Sequence, residues 1–286
     1  MGDRTIDTLA DGGSFFEGPR WHDGRWWVSD FYRHTVLAVD PAGGQEAVLT
    51  VEGQPSGLGW RPDGTLLVVS MKDRRLLARS PVGTVDVVAD LTSHAGGHLN
   101  DMVVDAEGRA YVGNFGFDMM AGERPRLADL VRVDPDGTVA VAAEGLKFPN
   151  GTVITPDGAT LVVGETTGGA LTAFTVGAAG ELTDRRTWAA TPGVAPDGIA
   201  LDAEGRIWVA DGGGGPVLLV AEGGEVVDRV QQPDGLGVYA CMLGGEDGRT
   251  LLMCAAPDYL EHNRAAAREA VLLTTTVDVP RGDGLP

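Results

Sequence analysis

The sequence predicts an all-β protein, a six-bladed β-propeller with an axial metal site, and three observations carry that expectation. An acidic residue followed by glycine recurs six times ahead of a short apolar strand, in HDGRWWVSD, RPDGTLLVVS, DAEGRAYVGN, TPDGATLVVGE, DAEGRIWVAD and GEDGRTLLMC. The glycines, Gly24, Gly64, Gly108, Gly158, Gly205 and Gly248, lie 40, 44, 50, 47 and 43 residues apart, the length of one four-stranded blade. Aligned on those glycines, most of the repeats place an oxygen-bearing side chain at one shared position.

Each Asp-Gly or Glu-Gly suits a tight hairpin, because glycine accepts positive φ without steric cost. A strand precedes each turn and another follows it. A third strand comes next, in VLAVD, RLLARS, LVRVD, ALTAF, VLLVA and VLLTTTV. A β-sandwich also uses such hairpins but rarely keeps so regular a period. Ring closure is expected to pair a strand near Thr5–Leu9 with the blade containing Ala270–Val279, removing the exposed sheet edges. No linker interrupts the pattern, so residues 1–286 are expected to form one domain. The one candidate helix is Asp258–Glu269, whose alanines and charges suit a surface position, and a solvated insertion is the favoured reading of the same segment.

Composition agrees. The 43 glycines and 16 prolines are scattered as turn dipeptides, and 43% hydrophobic with 22% charged residues is a globular balance. A formal net charge of −19 would repel nucleic-acid phosphates and an anionic membrane surface, so neither is an expected partner. No run approaches the roughly 18 apolar residues of a membrane span, and Met1–Gly12 is acidic rather than basic and then apolar. The expected location is the cytoplasm. Cys241 and Cys254 are too few for a disulfide scaffold and lack zinc-site spacing, so reduced thiols are expected, facing each other across the last hairpin.

Eight residues before the turn glycine stand Ser56, Asn100, Asn150, Asp197 and Ala240, and Glu17 takes that place in the shorter first repeat. Innermost strands line a propeller's channel, so these positions form a ring at one depth. Two carboxylates and two amide oxygens on one axis suit a hard divalent cation. Ca²⁺ fits first, with Mg²⁺, Mn²⁺, Zn²⁺ or Fe²⁺ as alternatives. Without a cation the two acids would repel each other.

The motifs EGP at 17–19, LND at 99–101, PNG at 149–151 and PDG at 196–198 occur in this order. On them, and on CMLGGEDGRTLLMC, the chain resembles the senescence marker protein/gluconolactonase/luciferin-regenerating family over residues 14–256. The resemblance implies a six-bladed propeller in which Glu17, Asn150 and Asp197 bind one divalent metal. It also implies that Asn100 contacts substrate or a bound water and that Asp197 assists proton transfer. Members acting on sugar lactones often carry an arginine two residues before the asparagine of LND. Here His98 stands there, which weakens the case for a sugar and makes His98 a candidate donor to substrate.

The expected activity is therefore hydrolysis of a small lactone or related ester. The metal would polarise the carbonyl and Asp197 would serve as base toward water. Two alternatives stay open: a metal-dependent esterase or phosphotriesterase, and a calcium-binding propeller without turnover. No G-x-S-x-G elbow supports a serine hydrolase. The long loops Phe115–Asp129 and Ala255–Arg268 leave second strands toward the site and are candidate lids or specificity walls.

Overall fold

Six four-stranded antiparallel sheets stand round a common axis in the computed structural model, which describes residues 4–282. Each blade runs outward from an innermost strand, in chain order except for the outermost strand of the sixth. These are Phe16–His22, Pro55–Trp60, Leu99–Val104, Pro149–Ile154, Pro196–Leu201 and Gly237–Gly244. They touch in succession, and the sixth returns to the first. The six turn glycines all have positive φ, from 71° to 83°, in the hairpin between first and second strands. Asp63, Asp157 and Asp247 each accept the backbone N–H two residues on, which tightens those turns.

Closure follows the expected pairing with a longer strand. Asp7–Gly13 forms the outer edge of the sixth blade, with Asp7 opposite Thr274 and Gly13 opposite Ala270. The core lies between blades, where apolar side chains of neighbouring sheets interleave. Between the fourth and fifth blades, for example, Val162, Leu171 and Trp188 pack on Ile199, Ile207 and Val209. Inner strands such as Leu99–Val104 are buried throughout, whereas the outermost strand Val85–Asp90 is largely exposed. That gradient is why the inner and second strands read as continuous apolar runs.

One expectation is corrected and one candidate is cut short. The candidate helix over 258–269 shrinks to a single turn, Glu261–Arg264. One turn gains little from helix propensity, and tertiary ties hold this loop in irregular form. Lys72 pairs with Glu261, Tyr32 Oη donates to the Tyr259 carbonyl, and Arg264 pairs with Asp258 and Glu269. The cysteines are free and buried, as expected, but do not face each other. Ala240 lies opposite Cys254 and Cys241 opposite Met253, so the two thiols point to opposite faces of the sheet. Among the described residues no helix is long and apolar enough to cross a membrane.

Candidate active site

Glu17, Asn100, Asn150 and Asp197 are each the second residue of an innermost strand. At this place the pairing of first and second strands slips in every blade, between Glu17 and Arg20 in the first and between Pro196 and Ile199 in the fifth. Such a bulge re-aims the side chain beside it. In four blades the next residue is glycine. A Cβ on Gly151 would stand 2.4 Å from the Asp197 carbonyl oxygen, and one on Gly198 would stand 2.5 Å from the Ala240 Cβ. Only glycine lets adjacent strands approach so closely, and that approach gathers the polar side chains on the axis.

These four residues and His98 line one cavity of about 280 Å³. The other two ring positions do not join them. Ser56 is buried with its carbonyl taken by Ser29 Oγ at 2.6 Å, and Ala240 is wholly buried.

The floor is an uncompensated acidic pair. Glu17 is buried, with Oε2 accepting the Gly18 N–H at 2.9 Å. Burial, and then the charge of Asp197, push its carboxyl well above the usual range. Asp197 is half-buried, and burial raises it too, against the opposing effect of the hydrogen bond Asn150 Nδ2 donates to its Oδ1. Asn150 Nδ2 also reaches Thr166 Oγ1 at 3.2 Å, and that hydroxyl donates to the Pro196 carbonyl at 2.7 Å. The Asn150 amide is thereby fixed with its nitrogen engaged. Asn100 Nδ2 is buried without a hydrogen-bond partner.

Among the described residues no cationic side chain pairs with the floor carboxyls. Arg20 lies beneath it but is committed to Asp101 at 2.7 Å and to the Pro19 and Met102 carbonyls. Lys72, at the wall, is paired with Glu261 at 2.8 Å. Burial lowers His98, which favours its neutral form. A buried and a half-buried carboxylate with adjacent amide oxygens and no paired side-chain cation fit a hard divalent cation. Among the described residues no group of three or more His, Cys, Asp and Glu is placed to hold a metal. The ring offers two acids and makes up its donor set with amides.

The walls are apolar. Phe115 stacks on Phe148 with ring centroids 4.4 Å apart and planes 20° from parallel. Opposite them Phe15 packs against Tyr239, Phe31 and Tyr32 at 5.0, 5.4 and 5.9 Å. Both long loops contribute, Met119 and Met120 from one and Tyr259 and Glu261 from the other. Carboxylates ending second strands pin the crossovers between blades. Asp30 accepts the Ser14 N–H, Glu165 that of Lys147 and Asp211 that of Ala195.

The sequence profile described as the SMP-30/Gluconolactonase/LRE-like region matches residues 15–257. The chain belongs to that family. A pentonolactonase of Haloferax volcanii is 28% identical over 88% of this chain and 84% of its own length. A 6-deoxy-6-sulfogluconolactonase of Pseudomonas putida is also 28% identical, over 88% of this chain and 87% of its own. A calcium-binding protein, regucalcin, from Agrobacterium tumefaciens superposes with a TM-score of 0.83 at 21% identity, covering 100% of this chain and 99% of that one, a likeness of fold. In this family member, the repeat alignment had selected every acid and amide of the cavity floor. It missed the aromatic walls, Gln54 and the Arg20–Asp101 pair, which sit at other offsets or on loops. The glycine following Glu17, Ser56, Asn150 and Asp197 was a legible sign of close strand approach.

Proposed function

We propose that this protein is a metal-dependent hydrolase that opens a small lactone. The observation that carries this reading is the floor of the cavity, where two uncompensated carboxylates lie beside an unpaired amide donor under apolar walls. The lactonases among its relatives support the substrate class.

Glu17, Asn150 and Asp197 would hold one divalent cation, with Ca²⁺ the first candidate for an all-oxygen set. When bound, the ion supplies charge for the two acids and polarises an ester carbonyl, an effect worth several kcal/mol in the transition state. The chain's own groups do the rest. Asn100 Nδ2 donates to the carbonyl oxygen and holds it as negative charge develops there. Asp197, with Oδ1 fixed by Asn150, takes a proton at Oδ2 from the attacking water. The ring C–O bond then breaks, and the same proton passes to the leaving oxygen, so lactone and water give one hydroxy acid. The apolar walls keep bulk water from the floor and strengthen each of these contacts.

The test is turnover of a panel of lactones, aryl esters and phosphotriesters with and without chelator, on the wild type and on Asp197→Asn. Asp197→Asn keeps one ligand oxygen and the fold while removing the base. Its rate should fall about 10²–10⁴-fold with metal still bound. Full activity in that variant, or in chelated wild type, refutes the mechanism. Metal bound without turnover of any member of the panel leaves a binding propeller.

A further inference from the structure

The cavity is built in two chemically different halves. Its floor carries the acids and amides described above, whereas its walls and rim are aromatic rings and methionines. One bank is Phe115 stacked on Phe148. The facing bank is Phe15 with Phe31 and Tyr239, and Met71, Met119 and Met120 line the same cavity. At about 280 Å³ the space lies at the small end of small-molecule sites, which run from roughly 300 to 1,000 Å³.

Of the polar side chains on the wall, Tyr32, Thr166, Lys72 and Glu261 are committed, whereas among the described residues those of Gln54, His98, Thr167, Tyr239 and Tyr259 have no hydrogen bond. Tyr32 Oη donates to the Tyr259 carbonyl, Thr166 Oγ1 to that of Pro196, and Lys72 pairs with Glu261. Gln54 Oε1 is buried without a partner, and His98 stands beside Phe115 with ring centroids 5.8 Å apart. A polyhydroxylated ring placed here would press several hydroxyls against aromatic faces. Each one left unpaired costs roughly fivefold or more in affinity. An alkyl or aryl group in the same space gains about fourfold per buried methylene. Methionine and aromatic side chains also adapt to irregular apolar shapes.

We infer that the substrate is a lactone carrying an apolar alkyl or aryl substituent, its carbonyl end at the floor beside Asn100 and its substituent between the two aromatic banks. This rests on the lactone-hydrolase reading above and narrows it.

The experiment uses the metal-loaded, full-length protein and γ-lactones of rising side-chain length, from γ-butyrolactone to γ-nonalactone, with D-glucono-1,5-lactone as the polar comparator. Binding of 3-pentylcyclopentanone, an unreactive mimic of γ-nonalactone with CH2 in place of the ring oxygen, is measured by calorimetry alongside. The expected result is that kcat/KM rises about threefold to fourfold per methylene until the cavity is filled, that γ-nonalactone exceeds gluconolactone by at least a hundredfold, and that the ketone binds. Phe115→Ala and Met120→Ser should each flatten the dependence on chain length. Met120 is 43% exposed, so its variant tests the wall without threatening the fold. Gluconolactone turned over as well as γ-nonalactone, or a flat series with no ketone binding, overturns the inference and leaves the lactonase reading standing. No turnover of any lactone with the ketone still bound overturns the lactonase reading, and with it the lactone substrate inferred here.

Discussion

Gly151→Ala separates positioning from stability. The added Cβ would lie 2.4 Å from the Asp197 carbonyl oxygen and 2.6 Å from the Ile199 nitrogen, both backbone atoms of the next blade's innermost strand. Heavy atoms settle at about 3.5 Å, so the strands must part by about 1 Å. Overpacking of this kind costs about 1–3 kcal/mol, or a melting temperature lower by roughly 2–12 °C in a chain of this size. The same displacement separates Asn150 from Asp197, and a misplacement of about 1 Å costs on the order of 10²-fold in rate. Gly158→Ala is the matched control. Gly158 has φ of 71° with nothing within 4 Å of its Cβ position, in a hairpin at the far end of the blade. Its substitution costs about 1–2 kcal/mol of backbone strain and leaves the floor untouched. Melting temperature, bound metal and kcat/KM on γ-nonalactone are measured for both variants. Comparable melting losses with a hundredfold difference in kcat/KM are expected. If Gly151→Ala keeps kcat/KM within twofold of wild type, close strand approach does not position the site and the reasoning fails.

Three further outcomes follow from the same geometry. Arg20→Met leaves Asp101 as a buried charge without its partner beneath Glu17, so stability should fall by about 3–5 kcal/mol in chemical denaturation, and an unchanged midpoint would contradict the pairing. Burial raises both thiols, so Cys241 and Cys254 hold their protons in the folded state where unfolded thiols lose them near about pH 8.5. Native protein should therefore resist alkylation at pH 8, react at two thiols once unfolded, and lose stability as pH climbs past that value. His98→Arg adds a donor and a charge beside Phe115, so it should shift the ranking toward polar lactones while bound metal is unchanged; identical rankings would remove His98 from substrate choice.

Much of the fold was legible because a propeller repeats its punctuation. Six turn glycines at blade spacing fixed six hairpins, and counting back from them reached Glu17, Asn100, Asn150 and Asp197. The same count could not tell that Ser56 and Ala240 stay out of the cavity, although the ladder slips beside them as it does in the other blades. The walls lie at other offsets of the same repeat: Phe15, Gln54, His98 and Phe148 each stand two residues before a ring position, and Phe31, Met71 and Phe115 each follow a second strand, whereas Tyr259 sits in an insertion with no counterpart in the other blades. The cysteine expectation failed by one position. Gly244 pairs with Thr250, which places the hairpin centre half a residue from the midpoint of the two cysteines, and in a strand that offset turns a side chain to the other face. The candidate helix failed because tertiary ties from Tyr32 and Lys72 outweigh local propensity.

Closure of the ring also sets when this molecule becomes competent. Thr275 Oγ1 donates to the Thr5 carbonyl at 2.8 Å across a sequence separation of 270 residues. At ribosomal speeds of about 5–20 residues per second, the first strand waits roughly 15–50 s for its partner. Until then the nascent chain shows two open sheet edges, and for most of that time its cavity has Glu17 but neither Tyr239 nor the sixth-blade loop. The chamber thus closes only once the strand Ala270–Thr276 has been made, and a chain terminated before it is exposed to aggregation without a closed cavity.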